Sequence, residues 1–166
     1  MRIETFNDAS RGEAIAVIRP CLDIPRWIDA LVDARPHADI ESLIECACSA
    51  AEPFTQVEID GALVHHPRIG ERARGSGAEA QFSSAEQAGL GASNHDIEQA
   101  LHQGNLDYEN QFGRVFLIRA AGRDRAEILA ELRRRMHNDS ASELREIAGQ
   151  LREIALGRLR AVFHPL

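Results

Sequence analysis

Apolar side chains recur three or four positions apart through most of the chain, which is the spacing that lines one face of an α-helix. Residues 40–51 show the clearest stripe, and residues 144–159 repeat it toward the C-terminus. The second stripe predicts a last helix of about twenty residues, or roughly 30 Å. The same spacing predicts further helices, which cover 11–18, 25–34, 56–63, 95–112 and 125–137.

Capping signals stand at the start of several of these segments. In a capping box, the first side chain accepts a hydrogen bond from a backbone N–H, and a glutamate three residues later reaches back to the cap. Asp39 is placed to cap the stripe at 40–51. The predicted boxes are Ser10-x-x-Glu13, Thr55-x-x-Glu58, Ser83-x-x-Glu86, Asp124-x-x-Glu127 and Ser140-x-x-Glu143.

The stretch FSSAEQAGL, which contains Ser83-x-x-Glu86, raises a question of function. As a capping box it predicts a short helix that starts at Ser83 and ends near Gly89 or Gly91. Glu86 would then lie near the positive end of the helix dipole, where an anion is stabilised. The spacing leaves open whether Glu86 only caps the helix or also has a chemical role.

Two stretches break the helical period. HHPRIGERARGSGAEAQF (65–82) has three glycines and scattered charge, and it predicts a loop. RVFLIRAAG (114–122) is apolar and β-branched, but no partner strand is visible, so an extended buried connector is preferred over a strand. Gly104 is expected to interrupt or strain its helix. The whole pattern predicts an all-α fold, a compact bundle of about seven to nine helices in a single domain over 1–166.

Composition narrows the possible chemistry. All nineteen basic residues are arginine, because the 166-residue chain contains no lysine. This excludes Schiff-base chemistry on a lysine amine and the lysine of a phosphate-binding P-loop. No GxGxxG follows a strand-like run either, so we expect no cofactor.

Charge and hydropathy limit the partners. The formal net charge of −7 argues against nucleic acid, since a basic face supplies most of that affinity. The run RRR at 133–135 is the local exception, and we expect it to spread over a solvated helix face. No apolar run approaches the roughly 18 residues of a membrane span, and the N-terminus lacks a signal-peptide pattern. We therefore expect a cytoplasmic protein with no membrane partner.

A metal site has little support in the sequence. Cys21, Cys46 and Cys48 lie in apolar surroundings and are interpreted as small buried side chains. His65 and His66 are adjacent, so their side chains do not share a direction, and no third ligand stands at helical spacing. We predict no metal ligand. A metal-dependent hydrolase that uses either histidine stays an alternative.

His66 is a candidate for acid–base chemistry. Pro67 biases the residue before it away from helical dihedrals, so His66 should be extended where a helix gives way to a loop. A carboxylate such as Glu86 beside this imidazole would orient the ring and tune its proton transfer. An exposed loop histidine without any chemical role is the alternative.

Five motifs together carry a family resemblance that covers nearly the whole chain. The chain resembles the 2-oxo-4-hydroxy-4-carboxy-5-ureidoimidazoline (OHCU) decarboxylases of urate breakdown. The resemblance implies an all-α homodimer without a cofactor that removes CO2 from a small anionic ureidoimidazoline and yields (S)-allantoin. The motifs are HHPRIG (65–70), SSAEQAGL (83–90), NLDYENQFGRVFLIRAAG (105–122), RMHND (135–139) and REIALGRL (152–159).

The same resemblance assigns residues. It implies that His66 is the catalytic residue and that Glu86 is its acidic partner. Arg68 departs from the pattern, since many relatives carry an acidic residue there, and Gly157 is a second departure, inside a helix. The positions that the resemblance matches to substrate contacts are Pro67, Ser83, Gln87, Phe116, Leu117, Ile118, Arg119, Ala120 and Arg158.

Decarboxylation suits this inventory of side chains. The electron pair left by CO2 needs a sink, and a substrate with an imine next to its carboxylate-bearing carbon supplies one itself. The protein then needs only to orient the substrate, move protons and stabilise charge. The alternative from a different class is a non-enzymatic helical interaction module, in which Glu86 is only a cap and His66 only a loop residue.

Overall fold

The computed structural model describes residues 1–64, 66–71, 77–91 and 94–163. These residues form nine α-helices and no β-strand. The predicted all-α class and the predicted number of helices are thus confirmed. The helices are α1 (Ile3–Asp8), α2 (Arg11–Ile18), α3 (Pro25–Asp33), α4 (Ile40–Ala50), α5 (Gln56–Leu63), α6 (Ala78–Gln87), α7 (His95–Phe112), α8 (Arg125–Arg135) and α9 (Ser140–Phe163).

The chain divides into two compact units. Unit 1 comprises Met1–Ala62 and Leu151–Leu166, and unit 2 comprises Leu63–Gln150. The prediction of a single domain over 1–166 stays a prediction. Within the described ranges, no helix has the length and apolar character needed to span a membrane.

Several helices begin where the capping signals predict. In the box of α2, the Glu13 N–H donates to the Ser10 hydroxyl (3.4 Å) and the Ser10 N–H donates to the Glu13 carboxylate (2.9 Å). The box of α8 has the same pattern, and the Asp39 carboxylate accepts from the Ser42 N–H at the start of α4 (2.8 Å). These caps form as predicted because all their partners lie within three residues of each other.

The predicted helix start at Ser83 is wrong. Helix α6 begins at Ala78, with Gly77 as its N-cap in an extended conformation, so the predicted loop over 65–82 is also too long. The segment AEAQ at 78–81 consists of residues with good helix propensity, and it extends the helix by more than a turn. Ser83 is therefore an interior residue, and Glu86 lies in the last turn of α6.

The start of α9 is also displaced from its prediction. Asp139 precedes the first helical residue, and its carboxylate accepts from the Ser142 N–H (2.7 Å) and the Ser142 hydroxyl (3.0 Å). Ser140 is thus the first residue of the helix and not its cap. Glu143, predicted to complete a capping box, is 1% exposed and bonds to distant side chains.

Gly104 does not interrupt α7, which is continuous from His95 to Phe112. A Cβ atom placed on Gly104 would lie 2.9 Å from the Cδ2 atom of Leu132 in α8. The glycine therefore serves close packing between two helices, which is a tertiary reason that the local sequence does not reveal.

Each unit has its own core. In unit 1, Trp27 is 1% exposed and its indole N–H donates to the Ala47 carbonyl (3.0 Å), while Phe6 meets Phe163 edge-on with centroids 5.2 Å apart. Unit 2 has a core that joins helices with both irregular segments. Its buried residues are Ile69, Leu90, Leu101, Tyr108, Phe116, Ile118, Ala120, Ile128, Leu129 and Leu132.

Candidate active site

His66 lies in a short irregular loop of unit 2, residues 66–71, that follows α5. Its backbone N–H donates to the Leu63 carbonyl at the end of that helix (3.1 Å). Both His66 and Pro67 are half-buried. The predicted handover from helix to loop at this histidine is thus confirmed, and His65 lies outside the described residues.

Gln87 joins the end of α6 to this loop. Its amide oxygen accepts from the Gly70 N–H (2.9 Å), and its amide nitrogen donates to the Glu71 carbonyl (3.3 Å). These bonds use one of the two donors of the amide and one of the two lone pairs of its oxygen. The contact brings the helix that carries Glu86 next to the loop that carries His66.

Ser83, Glu86 and Gln87 occupy one face of α6, since residues three and four apart on a helix are neighbours. Ser83 is 3% exposed, whereas Glu86 and Gln87 are half-buried. Because these residues lie inside or at the C-terminal end of the helix, the amide groups of a helix start do not surround them. The expectation that Glu86 lies near the positive end of the helix dipole is therefore wrong.

Asn105 of α7 anchors the loop from a second side. It is 3% exposed, and its amide nitrogen donates to the Ile69 carbonyl (3.2 Å). Among the described residues its Oδ1 atom is buried without a hydrogen-bond partner. The Ile69 side chain belongs to the core of unit 2, so the loop is fixed by both polar and apolar contacts.

Residues 115–120 of the predicted connector belong to neither helix nor strand. Phe116, Ile118 and Ala120 pack into the core of unit 2, so the connector is buried as predicted. Leu117 is also buried, at 4% exposure, and Arg119 is exposed. Among residues 116–120, Arg119 alone therefore has an exposed side chain.

A buried ion pair fixes the connector from the side of α8 and α9. Arg135 donates to Glu143 from Nε (2.9 Å) and from Nη2 (2.5 Å), and both side chains are 1% exposed. From Nη1 the guanidinium donates to the Leu117 carbonyl (2.7 Å), and it lies over the Phe116 ring at 4.6 Å. The Tyr108 hydroxyl completes this cluster by donating to the Glu143 carboxylate.

The cluster corrects the interpretation of the run RRR. Arg133 and Arg134 are exposed, but Arg135 is buried. Burial, together with the bond to Glu143, raises the pKa of Tyr108 above its ordinary range. At the surface, the hydrogen bond from Arg134 lowers the pKa of Glu146 to about 2, as expected for a carboxylate that accepts from a guanidinium.

The positions of Arg135 and Glu143 in the helical period are the sequence signal that could have predicted their burial. Arg135 stands seven residues after Ile128 and three after Leu132, both buried, and Glu143 stands four before the buried Ile147. Charged residues in the register of an apolar stripe face the core and must find partners there.

Arg158 is the one predicted site residue that belongs to unit 1. It is 2% exposed, and its guanidinium donates to the Pro20 carbonyl (3.3 Å). The remaining predicted residues, from His66 to Ala120, all belong to unit 2.

The described residues do not bring together enough side chains to hold a metal ion. No cluster of three or more His, Cys, Asp or Glu side chains occurs in them. Cys21 is buried, whereas Cys46 and Cys48 are only partly so.

The fold and the site define an all-α protein in which a histidine-bearing loop is bonded to a glutamate-bearing helix. A family profile described as OHCU decarboxylase matches residues 7–160. The chain therefore belongs to the OHCU decarboxylase family, as the motifs predict.

Two curated relatives illustrate the match. The 2-oxo-4-hydroxy-4-carboxy-5-ureidoimidazoline decarboxylase of Mus musculus is 31% identical over 162 residues, which are 96% of this chain and 91% of the mouse protein. The uric acid degradation bifunctional protein of Bacillus sp. (strain TB-90) is 25% identical over 166 residues, which are 98% of this chain. The chain spans only 32% of the length of that Bacillus protein.

Solved structures share the fold. A crystal structure of an OHCU decarboxylase in the presence of (S)-allantoin superposes with a TM-score of 0.70 at 22% identity, covering 89% of this chain and 96% of the other. An (S)-allantoin synthase superposes with a TM-score of 0.74 at 15% identity, covering 98% of this chain and 54% of the other.

Proposed function

We propose that His66 is the catalytic residue in the decarboxylation of OHCU to (S)-allantoin and that Glu86 orients its imidazole. Family membership sets the reaction, since the chain is an OHCU decarboxylase, a carboxy-lyase of urate degradation. The observation that carries the proposal is the pair of bonds from Gln87 to residues 70 and 71, which join the helix of Glu86 to the loop of His66.

The substrate supplies its own electron sink in this scheme. As the bond between the ring carbon and the carboxylate breaks, CO2 leaves, the electron pair forms a double bond to the neighbouring ring carbon, and the imine nitrogen takes up a proton. The 4-hydroxyl then loses its proton and becomes the carbonyl of allantoin, while the neighbouring carbon gains a proton on one face. His66 takes the hydroxyl proton, which is the step that a positioned imidazole accelerates.

The substrate contacts are assigned within the same proposal. We assign Ser83 and Gln87 to the polar atoms of the ring and the ureido group, and Pro67 to a further contact with the substrate. The connector contributes its main chain over Phe116–Ala120, because three of its side chains fill the core. Arg158 binds an anionic group of the substrate, for which a planar guanidinium with paired donors is suited.

The test uses circular dichroism of the allantoin formed from substrate generated in situ, since spontaneous decay gives a racemate. We expect His66→Asn to lower kcat by about 10²–10⁴-fold, which is the usual contribution of acid–base catalysis. His102→Asn is the matched control, because this exposed histidine of α7 lies in the same unit. Normal turnover by His66→Asn would contradict the catalytic assignment.

Assembly and location are further parts of the proposal. The family resemblance supports a homodimer that acts in the cytoplasm without nucleic acid as a partner. Sedimentation velocity over a range of protein concentrations tests the dimer, and a single species with the mass of one chain would contradict it.

A further inference from the structure

The loop that carries His66 has little regular backbone structure of its own. Residues 66–71 lie outside helices, and within the described residues their bonds to other main-chain groups are local, such as Glu71 N–H to Arg68 O (3.0 Å). A catalytic side chain on such a loop needs other contacts to fix its place, because loops are more mobile than the elements that they connect.

Arg68, two residues after His66, supplies the strongest of these contacts. Its Nε and Nη2 atoms donate to the two carboxylate oxygens of Glu109 at 2.5 Å and 2.7 Å. This fork-to-fork geometry fixes both the distance and the orientation of the two groups. The side chains are 35% and 26% exposed, so the pair is partly shielded from water.

Helix α7 presents two anchors to the loop. Asn105 binds the Ile69 carbonyl and Glu109 binds Arg68, and residues four apart lie on the same face of a helix. The helix itself is packed through Leu101 and Tyr108 in the core of unit 2. The hydrogen bond from Arg68 keeps the pKa of Glu109 below its ordinary value, so the pair stays charged at neutral pH.

We propose that Arg68 and Glu109 form a positioning pair for the decarboxylation, which holds the His66–Pro67 segment on α7 without touching the substrate. The inference rests on the proposed role of His66. It also gives a use to Arg68, at which this chain departs from the acidic residue that many relatives carry. The pair is a property of this chain, since an acidic residue at position 68 would face Glu109 with like charge.

The experiment compares kcat and KM for (S)-allantoin formation in single and double variants. We expect Glu109→Gln to lower kcat about tenfold with KM changed less than about threefold, because small displacements of a catalytic group cost rate. Arg68→Glu should lose more, and the charge exchange R68E/E109R should recover most of the loss. Arg68→Lys keeps the charge but loses the fork and should give an intermediate rate.

Glu58→Gln is the matched control. Glu58 of unit 1 accepts from Nε and Nη2 of Arg26 at 2.7 Å and 3.1 Å, with similar exposure. Glu58→Gln should lower the thermal unfolding midpoint at least as much as Glu109→Gln, because Glu58 also accepts from the N–H and the hydroxyl of Thr55 (2.8 Å and 3.1 Å). Only Glu109→Gln should lower kcat.

Two results would overturn the positioning pair and leave the catalytic assignment standing. One is a wild-type kcat in both Glu109→Gln and Arg68→Glu, with His66→Asn inactive in the same assay. The other is a loss in the single variants that the charge exchange does not reverse. Full activity of His66→Asn is a different result, which overturns the catalytic assignment and the positioning role together.

Discussion

Among the residues that the structure describes, the largest fully buried side chain of unit 1 is Trp27, and that of unit 2 is Arg135. Both donate a hydrogen bond to a main-chain carbonyl, Trp27 to Ala47 (3.0 Å) and Arg135 to Leu117 (2.7 Å). Ala47 lies within a helix, whereas Leu117 lies in a connector without helix or strand.

The comparison explains what the buried Arg135 does in unit 2. Main-chain groups outside helices and strands need partners when they are buried, and a guanidinium offers five donors in a rigid fork. Arg135 therefore organises an irregular segment that apolar packing alone would leave with unpaired groups. The irregular segments also carry His66, Pro67 and the connector residues Phe116–Ala120, whereas Ser83, Glu86 and Gln87 lie on α6.

The largest expected effect comes from a substitution that breaks the buried ion pair of Arg135 with Glu143. Arg135→Met leaves Glu143 buried without its countercharge, and loss of one partner of a buried pair costs about 3–5 kcal/mol. Trp27→Phe, the counterpart in unit 1, loses a single hydrogen bond and some volume, for a cost of about 1–2 kcal/mol. Urea unfolding followed by circular dichroism measures both. An equal cost for the two variants would refute the distinction between the cores.

The second prediction concerns how the stability of the protein changes with pH through the same cluster. Tyr108 is the only tyrosine of the chain, so tyrosinate absorbance reports on it alone. Because its pKa is raised in the folded state, the folded protein keeps the proton that the unfolded chain releases above its ordinary pKa of about 10. The stabilising contribution is therefore complete below about pH 10 and is lost above it, by up to about 1.4 kcal/mol per pH unit.

The control for this titration is Tyr108→Phe, which removes the ionisable hydroxyl from the cluster. Its stability should fall less steeply above pH 10 than that of the natural chain. A tyrosinate signal at the ordinary pKa in the folded protein would show that Tyr108 is not buried against Glu143.

The smallest effect compares one glycine from each unit. Alanine at Gly104 would place its Cβ 2.9 Å from Leu132, and overpacking of about 1–3 kcal/mol should outweigh the gain in helix propensity. Gly157 of α9 has nothing within 4 Å of such a Cβ, so Gly157→Ala should stabilise by up to about 1 kcal/mol. Opposite shifts in the thermal midpoint are expected. A stabilising Gly104→Ala would show that Leu132 moves freely.

The sequence by itself determined most of the helices and several of their caps, but it did not predict α1. Hydrophobic spacing and capping pairs such as Ser10 with Glu13 act within a few residues, so they can be recognised from the sequence alone. The family motifs likewise identified the reaction and predicted the roles of His66 and Glu86. The capping rule, however, placed the start of α6 at the wrong residue.

Only the tertiary structure decided the roles of the charged residues. The partners of Arg135 lie 8, 18 and 27 residues away in sequence, and Arg68 and Glu109 are 41 residues apart. A solvated arginine and a buried one have the same local sequence signature, because burial depends on which distant segment packs over them. The motifs therefore predict the chemistry of the site, and the contacts of the loop that carries His66 come from the packing of unit 2.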